Sequence, residues 1–163
     1  MFDFVILDSP AGIESGAKHA MYFADDAIIV TNPELSSCRD ADKMIGFISS
    51  RSRRSEIGAA PVNQTLLITR YDAQRASDGE SLSIQDIQEL LGLDLIGVIP
   101  ESKAILTCTN LGQPVITLGD KDKAAGAYAD MCDRFAGHEN VEWRFTTVEP
   151  ASFFSRVAGV FGK

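Results

Sequence analysis

Leu66-Leu67-Ile68-Thr69 is a continuous apolar run closed by a threonine. Runs of this kind, without polar alternation, are typical of strands that are buried on both faces of a parallel sheet. Three further runs have the same character: residues 5–7 (Val-Ile-Leu), 27–30 (Ala-Ile-Ile-Val) and 95–99 (Leu-Ile-Gly-Val-Ile), the last stopped by Pro100. Residues 115–116 (Val-Ile) suggest a short fifth strand.

Segments with helical spacing separate these strands. Residues 37–50, 84–91 and 124–136 repeat apolar side chains at the spacing of an amphipathic helix. We expect Ser36 or Ser37 to cap the first of these helices. We expect the third to turn an apolar stripe inward, made of Ala125, Tyr128, Met131, Cys132 and Phe135. Because strand and helix alternate, the sequence predicts an α/β fold with a mostly parallel sheet flanked by helices.

The composition is that of a globular domain. Hydrophobic residues make up 45% of the 163 residues and charged residues 23%, which excludes disordered chains, collagens and disulfide scaffolds. The net charge of −8 argues against broad nucleic-acid binding, which needs a basic surface. The three cysteines form no CxxC pair and are interpreted as reduced thiols of an intracellular protein. No apolar segment approaches the roughly 18 residues that span a bilayer.

The first candidate site follows the apolar run at residues 5–7. Asp8 would lie at the carboxyl end of a strand, where α/β sheets bind ligands, and an aspartate there can hold Mg²⁺ through water. Pro10 would stiffen the next turn, and Gly12 would let a backbone N–H approach a terminal phosphate. The alternative interpretation is an ordinary strand-to-helix turn with Asp8 as a cap.

Motifs along the whole chain resemble those of one ATPase family. They are, in order, residues 2–14 (FDFVILDSPAGIE), 31–34 (TNPE), 36–42 (SSCRDAD), 67–71 (LITRY), 97–101 (GVIPE), 110–115 (NLGQPV) and 127–129 (AYA). This set resembles the deviant-Walker (ParA/MinD) family of P-loop ATPases, and within it the membrane-associated members that position bacterial division sites. The resemblance implies a P-loop NTPase-like fold and the cofactors ATP and Mg²⁺.

The resemblance also implies roles for single residues. Asp8 matches the Walker B carboxylate that holds Mg²⁺ through water, while Pro10 and Gly12 match the switch II loop near the γ-phosphate. Asp40 matches an acidic position linked to ATPase switching and to the response to partners. The alternative for Asp40 is a first-turn helix pair with Arg39.

A second group of residues matches the loops that enclose the adenine. These residues are Arg70, Pro100 and Glu101. For Arg70 the alternative is a surface charge at the end of a strand.

The chain departs from the family at the phosphate loop. The 163 residues contain no GxxxxGK[ST] motif and no KGG, although phosphoryl transfer depends on the positioning and charge that this loop supplies. We therefore expect residues 1–136 to be the C-terminal part of such an ATPase domain, an incomplete P-loop fold that is inactive by itself.

The C-terminus carries a second candidate site. Residues 137–152 are interpreted as a linker, followed by an amphipathic helix at 153–163. Its apolar face would consist of Phe153, Phe154, Val157, Val160 and Phe161. Arg156 and Lys163 can meet anionic head groups, which suits a helix in the membrane interface. The alternative is a last helix packed on its own domain.

The resemblance implies a division-site ATPase that forms an ATP-dependent homodimer and binds an anionic membrane surface. Its partners would be a division inhibitor (MinC-like) and an ATPase stimulator (MinE-like), with no nucleic acid. We expect a cytoplasmic protein, peripheral on the inner face of the cell membrane, with an organelle left open. Two alternatives stay open: a non-catalytic membrane-binding or dimerisation module, and a ParA-type partition ATPase.

Overall fold

The computed structural model describes residues 2–9 and 15–147. Its elements in chain order are α1 (Ser15–Tyr22), β1 (Asp26–Thr31), α2 (Leu35–Arg51), α3 (Arg53–Glu56), β2 (Asn63–Tyr71), α4 (Ala73–Ser77), α5 (Ile84–Leu91), β3 (Asp94–Pro100), α6 (Lys103–Asn110), a 3₁₀ helix (Val115–Lys121) and α7 (Lys123–Phe135). The strands form one parallel sheet in the order β1-β2-β3. The predicted α/β fold is confirmed, and the runs at 27–30, 66–69 and 95–99 are its strands.

The central strand β2 separates two apolar layers. Leu66 and Ile68 are fully buried in the layer that contains α2 and α5, together with Ile48 and Ile87. Leu67 points to the opposite face, where it packs in the layer that contains α7. Successive side chains of a strand point to opposite faces, so an unbroken apolar run is what a strand covered on both sides needs.

A register shift in β3 changes which face its side chains reach. Leu66 pairs with Leu95 but Leu67 pairs with Gly97, so Ile96 is the extra residue of a bulge. Because of this bulge Ile96 packs in the α7 layer, whereas Val98 packs in the α2 layer two residues later. The bulge also brings α7 close to Gly97, where a Cβ atom would lie 2.8 Å from Leu67 Cδ1 and 3.0 Å from Met131 Cβ.

The prediction of a strand at residues 5–7 was wrong. Residues 2–9 have no strand pairing, and the side chains of Phe4, Val5, Ile6 and Leu7 are 52–91% exposed. Among the described residues, β1, β2 and β3 pair only with one another, so this segment has no partner strand. An apolar run forms a stable strand only beside a neighbour that satisfies its backbone groups.

The edge strand β1 also exposes apolar side chains. Ile28 is 37% exposed and Val30 is 57% exposed, although β1 is hydrogen-bonded to β2 along its length. The apolar residues of β1 are therefore only partly covered by the described part of the chain.

Three local predictions also fail. Residues 115–116 begin the 3₁₀ helix and do not form a strand. Helix α2 begins directly after Glu34 and not after Ser36 or Ser37, and the Glu34 side chain makes no capping hydrogen bond. In α7, Ala125 is buried and Tyr128 and Met131 pack against the core as predicted, but Cys132 and Phe135 are exposed. The buried start of this helix consists of alanines and a glycine. Small residues prevail there because α7 lies directly against the bulged part of β3.

Candidate functional site

A cleft of about 380 Å³ opens at the carboxyl ends of the parallel strands. This is the edge of the sheet at which open α/β folds bind ligands. The strand ends contribute Asn32 after β1, Arg70 near the end of β2 and Glu101 after β3. The remaining lining residues are Pro33, Glu34, Leu35, Arg75, Gly79, Glu80, Ser81 and Leu82.

The backbone of Arg70 has a left-handed conformation, with φ of 55°. It lies within a register irregularity between Ile68 and Tyr71, at the point where β2 stops following β3 regularly. A bulge redirects a side chain, and here the Arg70 guanidinium meets Glu101 with Nη2 3.7 Å from Oε1. A non-glycine residue in this conformation costs free energy, and such residues cluster at binding sites.

Hydrogen bonds hold the three strand ends together beneath the cleft. The N–H of Glu101 donates to the Tyr71 carbonyl at 3.0 Å, which joins the end of β3 to the end of β2. The Thr69 hydroxyl donates to the side-chain oxygen of Asn32 at 2.9 Å, which joins β2 to β1. Burial raises the pKa of the neighbouring Cys38 thiol, so this cysteine is an inert core residue.

The outer wall of the cleft comes from residues 72–82, the segment that contains α4. Asp72 caps α4 by accepting hydrogen bonds from the N–H groups of Gln74 and Arg75. The N–H of Leu82 donates to the Pro33 carbonyl at 3.1 Å, so this segment is attached to the loop after β1. Arg75 and Glu80 form an ion pair across the wall, at 3.6 Å.

The side chains that line the cleft have no net positive charge. Two cations, Arg70 and Arg75, face three carboxylates, those of Glu34, Glu80 and Glu101. A triphosphate needs an excess of cations or a cradle of backbone N–H groups. The charge of the lining residues therefore suits an uncharged part of a ligand better than a phosphate group.

The structure brings together only some of the residues that the sequence singled out. Arg70 and Glu101 line the cleft and pair with each other, and Pro100 is the buried last residue of β3. Asp40 lies outside the cleft on α2, where it is exposed and pairs with Lys43 at 2.8 Å. Asp8 is exposed within residues 2–9, which form neither helix nor strand.

Other predicted site residues lie outside the described residues. They are Pro10, Gly12, Phe153, Phe154, Arg156, Val157, Val160 and Phe161. Within residues 2–9 and 15–147, no three His, Cys, Asp or Glu side chains cluster as a metal site. None of the helices in those ranges has the length and apolar character to cross a membrane.

Sequence reasoning missed Arg75, Glu80 and Asn32 as cleft residues. Asn32 is a polar residue directly after β1, and Arg70 is a polar residue near the end of β2. The position of Asn32 at a strand end could therefore have predicted it as a cleft residue. Arg75 and Glu80 carried no such signal, because the segment 72–82 reaches the cleft through tertiary contacts, among them the backbone bond from Leu82 to Pro33.

Residues 138–147, here called the C-terminal strap, pack against α7. The Arg134 guanidinium lies 3.8 Å from the centre of the Trp143 ring and donates to the carbonyls of Val141 and Glu142. Arg144 pairs with Asp130 at 2.5 Å, and this hydrogen bond raises the pKa of the guanidinium. The described part of the predicted linker is therefore fixed to the domain by two arginines.

Comparison with known proteins gives a consistent result. The septum site-determining protein MinD of Escherichia coli is 48% identical over 158 residues, which are 97% of this chain and 58% of that protein. In sequence and in fold, this chain is similar to MinD. MinD in an Aquifex aeolicus MinC:MinD complex superposes with a TM-score of 0.77 at 36% identity, covering 89% of this chain and 56% of that chain. No protein-family model matches the chain.

A further MinD structure carries a nucleotide. MinD of Pyrococcus horikoshii complexed with Mg-ADP matches with a TM-score of 0.61 at 28% identity, over 80% of this chain and 50% of that chain. The chain thus spans little more than half the length of the MinD proteins that it matches. The resemblance to the deviant-Walker family and the P-loop NTPase-like fold are confirmed.

Proposed function

We propose that this chain is part of a membrane-associated ATPase that places the division site. The observation that carries the proposal is the identity of 48% to MinD along 97% of the chain. Because the chain covers 58% of that relative, the ATPase activity is proposed for the whole protein. Its phosphate loop would come from sequence outside these 163 residues, which contain no such motif.

In this proposal Arg70, Pro100 and Glu101 hold the adenine end of ATP at the cleft. The Mg-ADP complex of the Pyrococcus horikoshii relative supports nucleotide and Mg²⁺ as the cofactors. Asp8 would hold Mg²⁺ through water, with Pro10 and Gly12 in the loop beside the terminal phosphate. When bound, Mg²⁺ neutralises the negative charge that develops during phosphoryl transfer.

The same relatives support one of the proposed partners. The Aquifex aeolicus MinC:MinD complex supports a MinC-like division inhibitor as one partner. An ATP-dependent homodimer would bind an anionic membrane through residues 153–163 of both copies, since two weak anchors hold far better than one. A MinE-like stimulator would release it, and Asp40, exposed on α2, is available to respond to such a partner.

Sedimentation with vesicles tests this function. The whole gene product is mixed with phosphatidylglycerol-rich vesicles and with either ADP or a non-hydrolysable ATP analogue. We expect the analogue to bring most of the protein down with the vesicles and ADP to leave it in solution. Equal sedimentation with both nucleotides would contradict an ATP-driven membrane cycle, and would favour the alternative of a non-catalytic membrane-binding module.

A further inference from the structure

The C-terminal strap leads from α7 to the proposed membrane helix, and it runs back along α7 on the way. Its first part, residues 141–142, accepts hydrogen bonds from Arg134 near the end of α7. Its second part lies nearer the start of α7, where Arg144 donates to the carbonyl of Gly126 at 3.3 Å. The strap therefore carries the chain back to the first half of α7.

We propose that the C-terminal strap sets the length of the tether between the domain and the membrane helix, and that the Arg144–Asp130 ion pair holds the strap in place. This inference rests on the proposed function, because that proposal supplies the membrane helix at residues 153–163. Arg144 and Asp130 act by positioning the chain, and the contacts with lipid belong to the helix itself.

The Arg144–Asp130 pair has the geometry of a strong ion pair. Arg144 donates from Nε to Oδ2 of Asp130 at 2.8 Å and from Nη2 to Oδ1 at 2.5 Å. Two parallel hydrogen bonds of this kind fix the direction of the guanidinium as well as its distance. Because Asp130 is only 14% exposed, salt screens this pair less than it screens a fully exposed one. The pair is therefore suited to hold one segment of the chain against another.

The neighbours of Arg144 in the strap are held as well. Phe145 packs in the apolar layer that contains α7. The ring of Trp143 lies against the Arg134 guanidinium, 3.8 Å from the ring centre. A Cβ atom at position 126 would lie 3.3 Å from Arg144 Nη2, so Gly126 leaves the room that the strap needs. Three consecutive residues of the strap are therefore fixed to the domain.

The docked strap shortens the tether to the membrane helix. With the strap in place, the six residues 148–153 can span at most about 20 Å when fully extended. With the strap released, the seventeen residues 137–153 could span about 60 Å. Docking therefore keeps the start of the membrane helix close to α7.

The tether length matters because the proposed dimer binds the membrane with two helices. Once the first helix is bound, the second binds at an effective concentration that falls with about the −3/2 power of the tether length. Lengthening each tether about threefold should lower this concentration roughly fivefold. We therefore expect release of the strap to weaken membrane binding by the dimer and to leave the affinity of a single helix unchanged.

Vesicle sedimentation of two charge variants tests the inference. The whole gene product is mixed with phosphatidylglycerol-rich vesicles and a non-hydrolysable ATP analogue. Arg144→Gln and Asp130→Asn both break the ion pair, but they change the net charge in opposite directions. We expect both variants to raise the lipid concentration at half-maximal sedimentation by about three- to tenfold. Hydrogen exchange at the amides of residues 141–147 should accelerate in both, which reports release of the strap.

Two controls separate tether length from other effects. Arg51→Gln removes the same charge as Arg144→Gln, but from the exposed end of α2. It should change the half-maximal lipid concentration by less than about twofold. A Gly/Ser insertion of ten residues after Val148 lengthens the tether and leaves the strap intact. This insertion should weaken sedimentation about as much as Arg144→Gln does.

The outcomes separate the strap from the proposed function. Opposite effects of Arg144→Gln and Asp130→Asn would show that charge alone governs binding, and would overturn the inference. Faster exchange with unchanged sedimentation, or an insertion without effect, would refute the role of tether length. Unchanged exchange in both variants would show that the ion pair does not hold the strap. If the wild-type protein fails to sediment with the analogue, the proposed function is overturned, and this inference with it.

Discussion

The guanidinium of Arg70 lies 3.7 Å from the carboxylate of Glu101, across the mouth of the cleft between the ends of β2 and β3. This pair exists because the irregularity in β2 places Arg70 in a left-handed conformation, with φ of 55°. The sequence predicted both residues as neighbours of one ligand. The pair is exposed, and exposed ion pairs contribute little to stability.

Two substitutions at Arg70 separate stability from binding. Arg70→Gly removes a strained side chain, so we expect the free energy of unfolding to stay the same or to rise by up to about 1 kcal/mol. Arg70→Val places a β-branched residue in the same strained conformation. This variant should lower the free energy of unfolding by about 1–2 kcal/mol. Both variants lose the guanidinium and should weaken adenosine binding equally, as urea titrations and equilibrium dialysis would measure. If adenosine binding were weakened only in the destabilised variant Arg70→Val, Arg70 would support the fold and not the ligand.

Gly97 is required by the close approach of α7 to β3. Gly97→Ala should lower the free energy of unfolding by about 1–3 kcal/mol, because the new methyl group would overlap Leu67 and Met131. The control is Gly46→Ala on α2, where no atom lies within 4 Å of the added Cβ. This control should be neutral or stabilising by up to about 1 kcal/mol. Equal effects in urea denaturation would show that α7 is not held against the bulge.

The C-terminal strap is held by Arg134 and Arg144. Arg144→Ala leaves the Asp130 carboxylate, which is 14% exposed, without its main partner, and should cost about 1–2 kcal/mol. Hydrogen exchange should then accelerate at the amides of residues 141–147. Arg51→Ala, at the exposed end of α2, is the control and should leave these amides unchanged. Unchanged exchange in Arg144→Ala would mean that the strap is held by Arg134 and Trp143 alone.

The start of α5 predicts a pH dependence. Ser83 and Asp86 form a capping box, and hydrogen bonds from Ser83 lower the pKa of the Asp86 carboxyl. Because the pKa of Asp86 is lower in the folded state than in the unfolded state, its ionised form stabilises the fold. This stabilisation is complete at a pH above the pKa of the unfolded state and is lost as the pH falls through the pKa of the folded state. Ser83→Ala should therefore be destabilising at neutral pH and less so in strong acid. If Ser83→Ala destabilised the protein equally at every pH, the ionised Asp86 carboxylate would not contribute to the capping box.

The membrane proposal is tested on residues 153–163, which lie outside the described residues. Phe154→Glu with Phe161→Glu places two charges on the apolar face predicted by the helical spacing, and should abolish vesicle sedimentation. Ser155→Glu with Gly162→Glu adds the same charge on the opposite face, and should retain part of the binding. Equal loss in both variants would indicate that net charge alone governs the membrane interaction.

The sequence predicted the sheet well because a strand covered on both faces needs an unbroken apolar run, as at Leu66–Ile68. The same signal failed at Val5–Leu7, since an apolar run does not reveal whether a partner strand lies beside it. The bulge at Ile96 was not predictable from the pattern, because an apolar run looks the same with and without an extra residue in the pairing. In the cleft, the residues at strand ends, such as Arg70 and Glu101, were predictable. The outer wall at residues 72–82 was not, because its position depends on tertiary contacts such as the backbone bond from Leu82 to Pro33.

The central proposal is that these residues belong to an ATPase, whose phosphate loop would then lie in sequence outside them. The most direct test is to sequence the transcript upstream of the Met1 codon, in frame. We predict an open reading frame that encodes a KGGxGKT loop and continues into Phe2. An in-frame stop codon followed by a genuine start site at Met1 would contradict the claim, because this gene product would then have no phosphate loop with which to hydrolyse ATP.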